Sequence, residues 1–424
     1  MTKKVRVFDF AILLLLLLPV TGLPASAQSG KPTRVLRQFQ TDQFKLQEEF
    51  DRDVTSGKAQ LYEWESRAET FRKKAAIEVA GFKIADWKDD ELLALYSLYT
   101  QTEMFAQAVE AGRAYLRASP KSRTSESVRS GVIRSLVELG QIEEAQKLMD
   151  EVYQEMPNNI FQVATRLNLL KELVTVWRDR GRYEMVAKQA LRGYDLRTKR
   201  SRFFDTEERL SDVMLRDRLS LAAEYISSQE RLGFKKEAEA FHKKVLGTEF
   251  EEQAVLKSYY ESELAAARLM FTPAPELDAP RWIGSESIKL TSLRGKVVLL
   301  DFWAMWCSQC PGAFPEWREL QKKFSAKGLV IIGVTKLFGR SDTEEGLTRD
   351  QELKALLGFK TKHQLNYPIA VGKMDDVTND DRFAVASLPS VVLVDRRGNI
   401  RHIKRGVGEY RKLEKQIEKL INEN

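Results

Sequence analysis

The chain of 424 residues contains only two cysteines and three histidines. A single cysteine pair, Cys307 and Cys310, excludes a scaffold held by several disulfides, so apolar cores must stabilise the fold. A structural zinc site needs four ligands, and His242, His363 and His402 stand at no spacing that would complete one. We therefore expect neither a metal site nor a cofactor.

Neither positively nor negatively charged residues are in large excess. The 68 lysines and arginines against 61 acidic residues give a net charge of +7. This balance is too mild to indicate a nucleic-acid partner. A content of 43% hydrophobic and 9% aromatic residues is ordinary for a chain of this length with two or three globular domains.

Long hydrophobic runs are absent except at the beginning of the sequence. There, basic residues between Lys3 and Arg6 precede an apolar stretch that contains leucines 13–18, and the small residues 25–27 follow. This order predicts a secretory signal peptide at residues 1–27 and an exported protein of the periplasm or cell envelope. The alternative is an uncleaved membrane anchor, but the apolar run is roughly half of the ~20 residues that span a bilayer.

Strand-like alternation and proline are both scarce between residues 31 and 271, where apolar residues recur with helical spacing. Apolar positions on both sides of Gly140, at 128–139 and 142–156, predict a helical hairpin. Similar turns begin at three other positions, Glu103, Gly181 and Gly233. The region resembles tetratricopeptide-type repeats with an uneven period, which would bind a protein partner. The alternative is an irregular helical domain without a binding groove.

A Pro-rich segment at residues 272–280 is the predicted linker to a second domain at residues 281–424. Apolar runs predict four strands, at 297–300, 329–334, 390–395 and 400–404. Helices are predicted at 352–365 and, with one apolar face, at 410–421. The predicted fold is multi-domain, with an all-α domain of helical hairpins followed by an α/β domain in the order β-α-β-α-β-β-α.

The cysteine pair follows the strand that ends near Trp303, so we expect Cys307 at the start of a helix and Cys310 over the same face. Unpaired amides and the helix dipole at such a start stabilise a thiolate, the nucleophilic form of cysteine. The spacing lets Cys310 resolve a mixed disulfide formed at Cys307. The pattern favours reversible thiol-disulfide exchange. A structural staple is the alternative, although so short a loop removes little entropy from the unfolded chain.

Three motifs resemble the exported thioredoxin-fold proteins of the TlpA/ResA type: LRGKVVLL at 293–300, DFWAMWCSQC at 301–310 and Pro315, five residues after the second cysteine. In addition, ASLPSVVLVD at 386–395 is similar to the cis-proline loop of that family and the strand after it. The resemblance covers about residues 273–424. It implies a thioredoxin-like domain and an oxidoreductase that reduces protein disulfides, with a membrane thiol as electron donor and a role in cytochrome c maturation.

The resemblance also implies roles for individual residues. Cys307 and Cys310 would form the redox-active disulfide, with Cys307 as the nucleophile. Pro389 would carry a cis peptide bond beside the cysteines, and the backbone of Leu388 would pair with a substrate segment. Trp306 is assigned to the substrate-binding surface, although it could equally belong to the core.

Asp301 is the candidate acid and base for Cys310. Burial within an apolar strand disfavours the charged form of a carboxyl group and raises its pKa, and thioredoxin has an aspartate at the same spacing before its first cysteine. Many relatives of the TlpA/ResA type have a glutamate where this chain has Ala313, so the chemistry relies more heavily on Asp301. The alternative is a carboxylate at the strand end that faces water.

Two further expectations concern the type of chemistry. Ser308 and Gln309 place no cation between the cysteines, so we expect a reduction potential of roughly −200 to −270 mV. A peroxidase of the peroxiredoxin type is not expected, because its proline and threonine would fall at Leu300 and Ala304. A second function remains open, namely a helical protein-binding module whose thioredoxin-like domain serves recognition rather than turnover.

Overall fold

The computed structural model describes residues 31–56, 58, 63–122, 124–153, 160–196, 205–248, 254–374, 377–406 and 410–423. The predicted signal peptide at residues 1–27 lies outside this part of the chain. None of the helices that the structure describes is long and apolar enough to cross a membrane.

Among the described residues as far as 269, the regular elements are helical, as the apolar spacing predicts. The α-helices are α1 (Lys31–Thr55), α2 (Glu63–Val79), α3 (Asp89–Gln101), α4 (Phe105–Ala118), α5 (Ser125–Glu138), α6 (Ile142–Tyr153), α7 (Ile160–Asp179), α8 (Tyr183–Asp195), α9 (Asp205–Arg231), α10 (Lys235–Thr248) and α11 (Ala254–Leu269). In α6 the buried residues Ile142, Ala145, Met149 and Val152 recur every three or four positions, which is the period of one helical face.

The four predicted hairpin turns are built in the same way. Each turn residue has a positive φ, between 62° and 90°, at Glu103, Gly140, Gly181 and Gly233. The next amide donates to a carbonyl five residues earlier, as in a Schellman motif: Met104 to Tyr99, Gln141 to Leu136, Arg182 to Trp177 and Phe234 to Gln229. The hairpins are therefore confirmed, and their assignment to tetratricopeptide-type repeats remains a prediction.

The described residues divide into two compact units, one of residues 31–52 and 68–152 and the other of residues 53–67 and 153–423. The second unit contains α7 to α11 together with the sheet. Residues 272–280 separate helical from sheet structure within that unit. The domain limits proposed from the sequence remain a prediction.

The second unit contains a six-stranded mixed sheet in the order β1-β4-β3-β2-β5-β6. Its strands are β1 (Arg281–Ile283), β2 (Val297–Phe302), β3 (Leu329–Leu337), β4 (Ile369–Met374), β5 (Ser390–Val394) and β6 (Ile400–Arg405). The helices of this part are α12 (Phe314–Phe324), α13 (Arg349–Lys362), α14 (Thr378–Arg382) and α15 (Tyr410–Asn422). Central β2 runs parallel to β3 and antiparallel to β5.

Two strands, β1 and β4, are not predicted from the sequence. β1 has only three residues and pairs with β4 alone. β4 begins with three apolar residues, 369–371, between Pro368 and Gly372, which is too short a run to indicate a strand. The short helix α14 was not predicted either, so the order of elements is corrected to β-β-α-β-α-β-α-β-β-α.

Alternate residues of β2 enter two different cores, because side chains along a strand point to opposite faces. Val297 and Leu299 belong to the core that also contains residues of α12, α13 and α15. Val298 and Leu300 belong to the opposite core, against which apolar side chains of residues 271–279 pack. The sheet is thus covered on both faces.

The predicted linker is hydrogen-bonded along the sheet. The Phe271 amide donates to the Ile400 carbonyl at 2.6 Å, and the Ile400 amide donates to the Thr272 carbonyl at 2.9 Å. Further on, Asn379 and the backbone of Asp278 exchange two hydrogen bonds of 2.8 Å each. These bonds hold the segment against the start of β6 and against α14.

Candidate active site

The two cysteines lie in the segment between β2 and α12. Residues 303–309 form turns, and a 3₁₀ helix at Cys310–Ala313 follows before α12. The expectation that Cys307 stands at the start of a helix is therefore wrong by three residues. Cys310 is the residue at which the helical segment begins.

Proline explains this geometry. Pro315 has no N–H that could reach the carbonyl of Pro311 in an α-helical bond. The Pro311 carbonyl instead accepts the amide of Phe314, which is a 3₁₀ pattern. The regular helix consequently starts only at Phe314, with Pro315 in its first turn.

Cys307 and Cys310 form a disulfide, with an S–S distance of 2.00 Å and a Cα–Cα distance of 5.4 Å. The Cys310 amide donates to the Cys307 carbonyl at 3.1 Å, which closes the turn between them. Cys307 is 6% exposed and Cys310 only 1%. An incoming sulfur atom can therefore reach Cys307 more readily than Cys310.

Asp301 lies on β2 and is buried, as expected, with 1% of its surface exposed. Because strand residues alternate, its side chain shares a face with Leu299 and Trp303. Both of these belong to the core that contains Cys310 and Trp317 of α12. The carboxyl group and the buried cysteine thus lie in the same layer of the domain.

Burial raises the pKa of Asp301 from 3.8 to about 7, because desolvation disfavours the charged carboxylate. The Tyr367 hydroxyl donates to Oδ2 at 3.2 Å and partly opposes this shift. The Trp317 indole also lowers the pKa, although its N–H makes no hydrogen bond of normal geometry with any described residue. Both protonation states of Asp301 are consequently populated near neutral pH.

The peptide bond between Leu388 and Pro389 is cis, as the resemblance implies. The loop that contains it leads directly into β5, whose first residue, Ser390, pairs with Phe302 at the end of β2. Leu388, Phe302 and Trp303 line one shallow depression at this edge. The fold therefore brings the proline loop to the same end of the sheet as the cysteine segment.

Trp306 lies at the surface, where 37% of it is exposed, whereas Trp303 is buried. The ring of Phe338 meets Trp306 edge-on at 5.3 Å between centroids, and the Arg340 guanidinium lies 4.1 Å from the Trp306 ring centre. Such an arrangement allows a cation–π attraction that orients the indole. The core alternative for Trp306 is thereby excluded.

Several residues around the site are not predicted from the sequence. Tyr367 is 66 positions from Asp301 along the chain, and no local motif marks it. Phe338 and Arg340 follow β3 and come near Trp306 only in the folded chain. Glu352 of α13 is buried, and its carboxylate accepts the amides of Phe338 and Gly339, both at 2.8 Å. It thereby holds the loop that supports Trp306.

No group of three or more histidine, cysteine, aspartate or glutamate residues that could hold a metal ion occurs among the residues with described positions. The expectation that the chain needs neither a metal nor another cofactor remains a prediction.

The sheet order, the Cys-x-x-C disulfide and the cis-proline loop together define a thioredoxin-like domain. The AhpC/TSA family model matches residues 271–403. This C-terminal part of the chain is therefore a thioredoxin-like domain that matches the AhpC/TSA family model.

Similar curated proteins match the same part of the chain. Protein DipZ from Mycobacterium bovis is 32% identical over 144 residues, which are 33% of this chain and 19% of DipZ. Thiol-disulfide oxidoreductase ResA from Bacillus cereus is 28% identical over 149 residues, which are 34% of this chain and 76% of ResA. The chain thus spans about a fifth of the length of DipZ.

A comparison with solved structures also matches about a third of the chain. A thiol-disulfide isomerase from Corynebacterium glutamicum has 24% sequence identity and a TM-score of 0.31, over 36% of this chain and 98% of that protein.

Proposed function

We propose that the chain is an exported thiol-disulfide oxidoreductase that reduces disulfides in other proteins. The observation that carries this proposal is the Cys307–Cys310 disulfide, whose inner sulfur lies in the same core layer as a carboxyl group with a pKa of about 7. The sequence similarity to the oxidoreductase ResA supports the same reaction class.

Reduction of a substrate disulfide proceeds in two exchanges. The Cys307 thiolate attacks one substrate sulfur, which forms a mixed disulfide and releases the other substrate sulfur as a thiolate that takes up a proton. The Cys310 thiolate then attacks Cys307, releases the second substrate thiol and restores the Cys307–Cys310 disulfide. Two electrons have passed to the substrate, and an external dithiol must supply two more to reduce the pair again.

Asp301 acts as the acid and base for Cys310 in this proposal. A buried thiol must lose its proton before it can attack the mixed disulfide. A carboxyl group with a pKa of about 7 can accept that proton and return it when the pair is reduced, since a group is most effective near the pH at which it works. The missing family glutamate at Ala313 leaves this work to Asp301.

Substrate recognition is assigned to the surface around Cys307. The backbone of Leu388, held by the cis bond to Pro389, would pair with an extended segment of the substrate. Trp306 would cover the substrate next to its disulfide, because the indole is exposed and oriented by its contact with Arg340. Trp306 directly precedes Cys307 in the chain, and Leu388 packs against the core that contains Cys307.

Export and partners complete the proposal. Residues 1–27 would direct the chain to the periplasm or cell envelope, where disulfide-containing proteins are the available substrates. A membrane thiol would donate the electrons, and maturation of cytochrome c is a role that the resemblance implies. The helical part would bind a protein partner.

Turbidity during insulin reduction by dithiothreitol tests the activity. The wild-type protein should accelerate precipitation of the insulin B chain, Cys307→Ser should abolish this effect, and Ser308→Ala, at the exposed neighbouring position, should retain it. If Cys307→Ser and wild type behave alike, the oxidoreductase proposal fails and the binding module is favoured. Cys310→Ala should trap substrates as mixed disulfides that mass spectrometry can identify.

A further inference from the structure

The loop before the cis-proline is held at both ends by two adjacent residues of the β6 edge. The Arg405 Nη2 group donates to the Ala384 carbonyl at 3.1 Å, and the Gly406 amide donates to the Pro389 carbonyl at 2.8 Å. Arg405 is also the strand partner of Ser390. The Arg405 side chain is therefore one of the groups that fix the position of Ala384, where this loop begins.

Arg405 is fixed by a helix that precedes the sheet in the chain. Its Nη1 group forms an ion pair with Glu263 of α11, and Nη2 also donates to the Ser262 carbonyl at 3.1 Å. The two charged side chains are only 20% and 19% exposed. Water competes less for two charged groups that are largely buried. Such an ion pair therefore holds a defined geometry better than an ion pair at the surface does.

Glu263 is itself held in place. Its second carboxylate oxygen accepts the Ser220 hydroxyl of α9 at 2.7 Å, and the Tyr259 hydroxyl lies 2.9 Å from the same Ser220 oxygen. A continuous set of polar contacts therefore runs from α9 through Glu263 and Arg405 to the carbonyl of Ala384.

We propose that Arg405 is a positioning residue, through which α9 and α11 hold the 384–389 loop in the conformation that receives a protein substrate. This inference rests on the proposed function of the loop. A polypeptide that pairs with the backbone of Leu388 gains from a loop that is already ordered, since ordering it on binding would cost affinity. A small disulfide that reacts only at Cys307 gains nothing from that order.

Glu263→Gln tests the proposal, because it removes the charge and keeps the shape of the side chain. In the full chain we expect the KM for insulin to rise about three- to tenfold, with the rate for a small substrate, bis(2-hydroxyethyl) disulfide, unchanged. The matched control is Asp179→Asn. This variant breaks another ion pair, in which Asp179 of α7 lies 2.7 Å from Lys419 of α15. It should change neither rate.

Arg405→Lys provides a second variant, since it keeps the charge beside Glu263 but cannot reach Ser262, Glu263 and Ala384 with one planar fork. Arg405→Lys should raise the KM for insulin as Glu263→Gln does. Its thermal unfolding midpoint should lie closer to that of wild type than the midpoint of Glu263→Gln does. An equal loss with both substrates, an equal effect of Asp179→Asn, or no change in KM would each overturn the proposal.

Hydrogen exchange separates this proposal from the proposed function. Amides in residues 383–390 should exchange faster in oxidised Glu263→Gln than in Asp179→Asn, whether or not the chain turns over a disulfide. If the wild-type protein reduces neither substrate, the proposed function fails, and the exchange comparison alone decides the role of Arg405. Unchanged exchange in this segment would contradict that role.

Discussion

Replacing Asp301 by asparagine should stabilise the protein, and the gain should depend on pH. The native carboxyl group has a pKa of about 7 against 3.8 in an exposed chain, because it is buried. The folded state therefore keeps a proton that the unfolded state releases between these two values. The contribution of the Asp301 carboxyl group to the free energy of unfolding is fully present below about pH 4, and it is lost as the pH rises to about 7.

The size of the effect follows from the shift. A change from 3.8 to about 7 is about three pKa units, which at 1.36 kcal/mol per unit corresponds to about 4 kcal/mol. Asparagine resembles the protonated carboxyl group in shape and can still accept the hydroxyl hydrogen of Tyr367. The variant should thus match the wild type near pH 4 and exceed its free energy of unfolding by up to about 4 kcal/mol above pH 8.

Urea unfolding of the oxidised full chain, followed by tryptophan fluorescence at several pH values, measures this difference. Subtracting wild type from Asp301→Asn cancels the titration of all groups that the two proteins share. Glu344→Gln, at an exposed position of the same part of the chain, is a control that should leave the pH dependence unchanged. A stability difference that stays constant across this range would refute a raised pKa at Asp301.

Three further predictions concern the same site. Tyr367→Phe removes a hydrogen bond that lowers the pKa of Asp301, so the pH–rate profile of insulin reduction should shift to higher pH. An unshifted profile would show that Asp301 does not govern the rate. Trp306→Ala should raise the KM for insulin several-fold and leave the rate with a small disulfide intact, which steady-state kinetics can separate. Gly333→Ala should lower the free energy of unfolding by about 1–3 kcal/mol, measured with urea, because a Cβ there would lie 2.9 Å from Nε1 of buried Trp303.

Much of the candidate site could be predicted because its signals are local. Cys307 and Cys310 are three positions apart, so their disulfide requires no knowledge of distant contacts. Asp301 lies within an apolar strand sequence, which favoured burial with a raised pKa over a carboxylate that faces water. The helical hairpins are equally local, since each turn closes with bonds inside a few residues.

The parts that could not be predicted depend on contacts between distant segments or on weak patterns. β4 has only three consecutive apolar residues, and its neighbour β3 provides the hydrogen bonds that make it a strand. The start of α12 was misplaced because Pro315 removes the α-helical bond to the Pro311 carbonyl, which accepts the Phe314 amide in a 3₁₀ pattern instead. A cysteine pair that follows a strand does not by itself indicate which form the first turn takes.

The sequence by itself determined the helical N-terminal part, the α/β character of the C-terminal part and the thiol chemistry of Cys307 and Cys310, because these depend on periodicity and short spacing. Only the tertiary structure decided which groups surround that chemistry. Tyr367 reaches Asp301, and Arg405 links Glu263 to the proline loop, across separations of 66 and 142 residues. Packing of the sheet against its helices brings such groups together, and no local pattern encodes that packing.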